Sequence, residues 1–362
     1  MTTDPRSSHL QAGAWLGAAR ADILSHLISR VSATHPHMGG PDSADGQEFL
    51  PRVADHLLAE LRRALAWDKP ALFADCVGWA RAALIQRGLP ASALALHLDF
   101  LAAVVRRELP DDIGSQASAI VMAALRAMPG LPGEQPAFLQ PDAPVSLLAT
   151  LYFRALLRGD RQLASRLVLQ AVEQGTPVKD IYLHVFLPAQ HEIGRLWQFN
   201  QISIAEEHYT TAATQLIMSQ LYPQVFSSKR IGRTVVAVCV SGELHELGAR
   251  MVADFFEMDG WDSYYIGANI PMSGVLEAVV DRRADVLAIS ATITHHVEDV
   301  KHLIGLVRGH PQCGGVKIVV GGFPFNRDPE LWRRVGADGT GSDALSAVAV
   351  SNALVDGNRG QE

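Results

Sequence analysis

The chain has 362 residues, enough for two or three domains that each bury a core. Its 48% hydrophobic and 19% charged residues are ordinary for a globular protein, and a formal net charge of −7 argues against a general nucleic-acid surface. Cys76, Cys239 and Cys313 lack paired or finger spacing, which excludes a disulfide framework and predicts a reducing, cytoplasmic setting. No apolar run reaches the length of a membrane span, and the N-terminal stretch has no signal-peptide core.

Residues 1–13 are expected to be disordered. An all-α N-terminal domain follows over 14–128, with a helical pattern from Ala14 to Ser32 and a breaker at His35-Pro-His-Met-Gly-Gly-Pro-Asp. Four more helices are predicted near 47–67, 69–87, 91–108 and 111–128. Leu57, Leu58, Leu61, Ala64 and Leu65 recur at three- and four-residue steps, and Gly88-Leu-Pro90 and Pro110 supply stops. Residues 129–144 are proline-rich and read as a linker. A four-helix bundle is expected over 145–225, with helices at about 145–158, 160–174, 177–199 and 203–222. Ser203 and Glu206 have capping-box spacing.

The pattern then changes to strand–helix alternation over 232–355. Strands are predicted near 234–240, 262–266, 285–290 and 316–320, with a fifth around Gly336-Ala-Asp338-Gly339. Such alternation predicts a doubly wound α/β, Rossmann-like domain. The turn after its first strand carries Glu243-Leu244-His245-Glu246-Leu-Gly248. Open parallel sheets place ligands at that carboxyl edge. A carboxylate two residues before an imidazole accepts one ring N–H, fixes the tautomer and strengthens the other nitrogen as a metal donor. Gly248 leaves room for something bulky against the helix start.

This motif resembles the Asp/Glu-x-His-x-x-Gly signature of cobalamin-binding Rossmann-like domains. Gly267-Ala-Asn269-Ile-Pro271, Ser290-Ala-Thr292, Gly321-Gly322 and Gly339 follow in the same order. The resemblance implies that His245 is the lower axial ligand of cobalt. It also implies that Glu243, Leu244, Glu246, Gly248, Gly267, Asn269, Ser290, Thr292, Gly321, Gly322 and Gly339 surround the cofactor. The displaced nucleotide tail would thread a slot lined by the Ser-x-Thr and Gly-Gly segments, where hydroxyls meet its polar ring and bare backbone gives it space.

Just upstream, Trp197 is followed by nine residues and then Glu207-His208. This spacing resembles the helical caps of adenosylcobalamin-dependent photoreceptors, the CarH-like light-dependent repressors. There the Trp packs by the upper adenosyl group, and the Glu and His line the same pocket. The resemblance implies a light sensor. Photolysis of the Co–C bond of adenosylcobalamin would remove a contact worth on the order of 1.5–3 kcal/mol and move the cap. Two departures stand out. Gln198 occupies the place where the relatives carry a cobalt-capturing His, leaving His191 and His208 as conceivable substitutes, and no basic recognition helix replaces the relatives' DNA-binding module.

No direct DNA binding is therefore expected. The helical N-terminal domain resembles, in architecture alone, the globin-like domain of photocobilins, which bind a bilin beside cobalamin. Biliverdin is a candidate second chromophore, with Cys76, Trp79, Arg81, His97 and Arg107 available to it. The other reading of that domain is dimerisation or signalling. Expected partners are a second copy, as a homodimer or light-dependent oligomer, and a separate effector protein.

The alternative function is that of a corrinoid carrier protein in a methyltransferase system, which uses the same cap, sheet and histidine. A mutase would need a substrate barrel of about 250 residues. A zinc hydrolase on His245 or on His295-His296 finds no His-Glu-x-x-His or Cys-x-x-Cys partner. The chain is read as a binding and regulatory protein, not an enzyme. His295-His296 also stands close enough to the sheet's carboxyl edge to touch corrin side chains.

Overall fold

The computed structural model describes residues 5–34, 44–86, 90–131, 137–143, 145–199 and 201–359. The chain divides into two compact units, Met1–Ala137 with Gly194–Ser203 and Phe138–Ile193 with Ile204–Glu362.

Helices build the first unit: α1 (Pro5–Ala18), α2 (Arg20–Thr34), α3 (Ala44–Ala66), α4 (Pro70–Gln86), α5 (Ala91–Glu108) and α6 (Asp111–Ala127). The leucine stripe of α3 (Leu57, Leu58, Leu61, Leu65) is buried with Leu16, Ile23, Leu27, Phe73, Leu98 and Val105 in one apolar core. Pro90 and Pro110 take the N-cap positions of α5 and α6, where a missing N–H costs nothing. Asp111 and Asp112 in the first turn of α6 complement its dipole.

Two expectations fail here. The start of the chain is helical from Pro5, not disordered to residue 13. The reason is burial: Ala12 and Leu16 are each 1% exposed, and a Cβ on Gly13 would lie 2.7 Å from Ala66 Cβ, so α1 lies directly against α3. The single helix expected at 14–32 is instead two, broken at Ala19. Residues 1–4, the breaker at 35–43 and Gly88-Leu89 lie outside the described residues, as do 132–136 and 144 of the linker. The linker's start forms a 3₁₀ turn, Met128–Gly130.

The second unit opens with α7 (Ser146–Leu157), α8 (Arg161–Glu173), α9 (Val178–Ile181), a π-helical turn Tyr182–Phe186, α10 (Leu187–Gln198), α11 (Ile204–Gln220) and α12 (Tyr222–Val225). From Gly194 onward α10 groups with the first unit. Asp160 caps α8 by accepting Leu163 N–H at 2.8 Å. Tyr152, Tyr182 and Phe186 are fully buried, with ring centroids 5.3–5.4 Å apart along the series.

The sheet follows: β1 (Thr234–Cys239), α13 (Glu246–Met258), β2 (Asp262–Gly267), α14 (Met272–Asp281), β3 (Val286–Ser290), α15 (Val297–Gly309), β4 (Lys317–Gly321), α16 (Phe323–Arg327), α17 (Leu331–Val335), β5 (Gly339–Gly341) and α18 (Ala344–Arg359). All strands are parallel in the order β2-β1-β3-β4-β5. Val235–Cys239 is at most 1% exposed, as expected of a strand covered on both faces. Strand order reverses between β1 and β3, so the crevice outside their carboxyl ends is the topological switch point. Trp261, fully buried edge-on against Phe256, anchors the opposite end, worth about 1.5–3 kcal/mol.

Side chains tie the helices of this unit to the sheet. Tyr182 donates to Asp254 Oδ2 at 2.8 Å, Arg250 to Ser219 Oγ at 2.7 Å, and Gln215 Nε2 to Glu246 Oε1 at 2.9 Å. Among the described residues, no helix is long and apolar enough to cross a membrane.

Candidate functional site

The chain leaves β1 and turns at Gly242, whose φ of +79° a side chain would resist. A Cβ there would also sit 3.2 Å from the His296 ring. This turn drives Glu243 into the crevice, where it is 0% exposed. Its Oε2 accepts the N–H groups of Thr292 (2.7 Å) and Ile293 (3.1 Å). Its Oε1 accepts His245 N–H at 3.0 Å and pairs with His245 Nδ1 at 2.5 Å. Burial alone would raise the carboxyl, but the imidazole and the three backbone donors outweigh it and bring it down to about 2.

The same bond raises His245 above the ordinary histidine range, against the pull of burial. With Nδ1 committed, Nε2 is the ring nitrogen available to an outside partner, and the side chain is 54% exposed. His245 takes the N-cap position of α13, so the helix fixes where the ring emerges.

Around the ring, Leu244 (74% exposed), Ile293 (39%) and Phe323 (58%) stand apolar and open on the segments following β1, β3 and β4. Sequence reasoning singled out only Leu244. The signal for the others was an apolar residue directly behind the Ser-x-Thr and Gly-Gly motifs. Gly248 faces open space, with no atom within 4 Å of where its Cβ would be. Gly267 (φ +86°) and Asn269 (φ +57°) shape the bend after β2. Glu246 is half-buried between α11 and the sheet, taking Gln215 on one oxygen and Tyr265 O–H at 3.4 Å on the other.

Ser290 ends β3, while Thr292 contributes its backbone N–H to Glu243. At Gly322 φ is +106° and a Cβ would fall 2.0 Å from Ala291 O; at Gly321 it would fall 3.0 Å from Gly341 O. Here backbone passes backbone with no space for a side chain. Gly339 packs closely too. A Cβ on it would lie 2.6 Å from Val350 Cγ1, so this glycine seats α18 on β5. Thr340 between Gly339 and Gly341 was not anticipated, and its Oγ1 is buried without a hydrogen-bond partner.

Helix α11 carries the other half of the candidate site. It is pinned near His245 by the Gln215–Glu246 bond, and His208, seven residues earlier, is on the same face about 10 Å along the axis. Glu207 Oε2 pairs with His208 Nδ1 at 2.6 Å, His208 is 73% exposed, and the Glu207 charge contributes to raising His245. Trp197 and Gln198 close α10, both exposed, with the indole at 41%. They group with the first unit, so the expected convergence of Trp197 with Glu207 and His208 is not a contact within one unit.

Several other candidates are already engaged. The His191 ring packs on Phe138 at 5.0 Å. His296 is 8% exposed beneath Gly242, with Nδ1 3.4 Å from Asp299 Oδ2, so it supports the turn and is not placed to reach a corrin side chain. The side chain of His295 lies outside the described residues. Of the bilin candidates, Cys76 is buried and its thiol is pushed well up, chiefly by burial. Trp79 meets His56 edge-on, Arg81 donates to Leu131 O at 2.8 Å, His97 Nδ1 pairs with Ala93 O at 2.9 Å, and Arg107 donates to Glu108 at 2.7 Å. These groups are spent on the helical core and its surface.

The second unit's residues fit a corrinoid. Among the described residues no group of three or more His, Cys, Asp and Glu could hold a metal ion. The open apolar rim suits a large flat ring. The orphaned Thr340 hydroxyl suits a polar tail.

Residues 233–349 match the B12 binding domain family model, and residues 148–222 match a second model of the same description. The dimethylamine corrinoid protein of Methanosarcina barkeri is 28% identical over 139 residues, which are 38% of this chain and 63% of that protein. A corrinoid protein of Desulfitobacterium hafniense (strain Y51) is 22% identical over 207 residues, 56% of this chain and 94% of that protein. Among solved structures, the monomethylamine corrinoid protein of M. barkeri shares the fold with a TM-score of 0.51 at 20% identity, over 56% of this chain and 96% of that one. The chain carries a cobalamin-binding module, formed by these two B12 binding domains.

Proposed function

We propose that this chain is a corrinoid carrier protein of a methyltransferase system, holding its cobalamin on His245 beneath α11 and itself no enzyme. The observation that carries the reading is the Glu243–His245 pair, bolted to the β3 loop by two backbone donors and offering Nε2 at the switch point. Relatives matched over 139 and 207 residues are corrinoid proteins. A bound corrinoid would supply a cobalt able to accept and donate an alkyl group, and His245 would hold it. Glu243 holds the imidazole in one tautomer and keeps it a strong donor. Leu244, Ile293 and Phe323 shed water around the ring, and Gly321, Gly322, Ser290 and Thr340 border the tail. Helix α11, tied to the start of α13 by Gln215–Glu246, would border the other side of the ring.

One specific observation favours a second reading, the adenosylcobalamin light sensor. Glu207 and His208, ion-paired at the exposed start of α11 and separated from Trp197 by nine residues, are the pair that this resemblance puts in the cofactor pocket. In that case the outgoing signal is cap movement, passed to a separate effector.

Two measurements test these readings. Protein loaded with hydroxocobalamin and reduced to Co(II) should show nitrogen coupling in its electron paramagnetic resonance spectrum, altered by ¹⁵N-histidine and lost in His245→Ala. Unchanged coupling in that variant removes His245 from the site. Identification of the co-purifying alkyl group then separates the functions: methyl supports the carrier. Adenosyl, with a change of spectrum and hydrodynamic size under green light, supports the sensor.

A further inference from the structure

A chain of hydrogen bonds crosses the cap from its core to Glu207. Thr214, fully buried on α11, donates its single proton to Thr210 O at 2.9 Å. Its hydroxyl oxygen is then left to accept, and two donors reach it: Tyr152 O–H from α7 at 2.7 Å and Gln190 Nε2 from α10 at 2.9 Å. This decides which way the Gln190 amide points. Its nitrogen faces Thr214, so its oxygen faces Thr211, whose hydroxyl lies 3.0 Å from Gln190 Oε1 and 3.1 Å from Glu207 Oε1. The second Glu207 oxygen is held at 2.6 Å by His208 Nδ1. Thr211 has one proton for these two acceptors, so Gln190 Oε1 and Glu207 Oε1 compete for it, while His208 holds the other carboxylate oxygen. Surface carboxylates are rarely so constrained, because ordering one costs side-chain entropy with little return in water.

We propose that Thr211 is a positioning residue that sets the orientation of Glu207, and through it His208, over the site of His245, and that Gln190 tunes it by competing with Glu207 for the Thr211 proton. The inference rests on the corrinoid reading given above and adds the device that shapes the upper side of that site. Gln190 touches neither His245 nor the rim, and it acts only through Thr211. The arrangement serves either kind of alkyl group, because it fixes charge and hydrogen-bonding groups over the site rather than gripping a particular substituent.

The test uses full-length protein loaded with hydroxocobalamin and titrated with azide, followed by visible absorbance. Azide binds the face opposite His245, so an oriented Glu207 carboxylate opposes it. Glu207→Gln should tighten azide binding about threefold to tenfold, as expected for loss of one charged contact. Thr211→Val should tighten it in the same direction, Gln190→Leu, which leaves the Thr211 proton to Glu207 alone, should weaken it, and Thr211→Ser, which keeps the hydroxyl, should give the wild-type value. Thr211→Val and Gln190→Leu thus move azide affinity in opposite directions, a split that general loosening of the cap would not give. Wild-type azide affinity in both variants, with Glu207→Gln still shifted, overturns the positioning role and leaves the site standing. An unshifted Glu207→Gln overturns the placement of Glu207 itself. A wild-type protein that takes up no corrinoid overturns the proposed function and this inference together.

Discussion

At the scale of single residues, Glu243 has two roles with one geometry: it orients His245 and it fastens the β1 loop to the β3 loop. Both depend on its charge. Glu243→Gln should weaken corrinoid uptake about 10–100-fold, the usual cost of losing the carboxylate behind a ligating imidazole, as read by absorbance titration. The carboxyl lies below its unfolded value of 4.5, at about 2, so its contribution to apo stability is complete above pH 4.5 and disappears as pH falls toward 2. The stability gap between wild type and Glu243→Gln, measured by urea unfolding, should therefore close across that acid window. A gap that persists at pH 2 means that the substitution acts through something other than charge. Gly322→Ala is the backbone counterpart. With φ at +106° and Ala291 O in the way, it should cost more than about 1–3 kcal/mol and disturb the tail slot even if the fold survives.

Among the elements, the contact that most repays attention joins the π-helical turn of the cap to α13, the helix that His245 begins. Tyr182 donates to Asp254, which is 7% exposed and raised to about 6, first by burial, with the Tyr182 bond and Arg250 opposing and Glu257 adding to the rise. Here the sign is opposite to that of Glu243. A carboxyl raised above its unfolded value favours the fold while it is protonated, and the advantage is lost as pH climbs from about 4 to 6. Relative to Asp254→Asn, wild type should lose on the order of 2–3 kcal/mol across that interval and run parallel to it above pH 7. Parallel curves from pH 4 upward would place the charge elsewhere. Such a tie was not legible in the sequence, because 72 residues separate its partners. The strands were legible, since buried apolar runs between turn residues have few other solutions. So was the His245 turn, a local motif. The Gln190–Thr211 chain and the orphaned Thr340 arise only when distant elements meet. The packing role of Gly339 was not legible, because a glycine that makes room for a helix looks, in sequence, like one that makes room for a ligand. The early start of α1 was missed because small residues such as Ala12 and Gly13 give a weak periodic signal until Ala66 is known to lie against them.

For the whole molecule, the division into two units makes a thermodynamic statement. The proposed ligand contacts, apart from Trp197, lie in the second unit, whereas the first has its own continuous apolar core. A ligand stabilises what it binds, by about 2.7 kcal/mol at a hundredfold excess over Kd, and leaves an uncoupled unit alone. Calorimetry with hydroxocobalamin should therefore raise one of two transitions and leave the other in place. Hydrogen exchange should locate the protected amides at 204–215, 242–248, 290–294 and 321–323. If both transitions rise together, the helical first unit responds to occupancy of the site and is energetically joined to it. That result would favour the sensor over the carrier, because a carrier needs its cap to move for a partner enzyme but has no use for coupling to a further domain. The same experiment run with methylcobalamin and adenosylcobalamin, in darkness and after green light, makes the choice directly. A carrier should show the same pair of transitions with each alkyl group in the dark. A sensor should show a first-unit transition that depends on adenosyl and falls back once light has removed it.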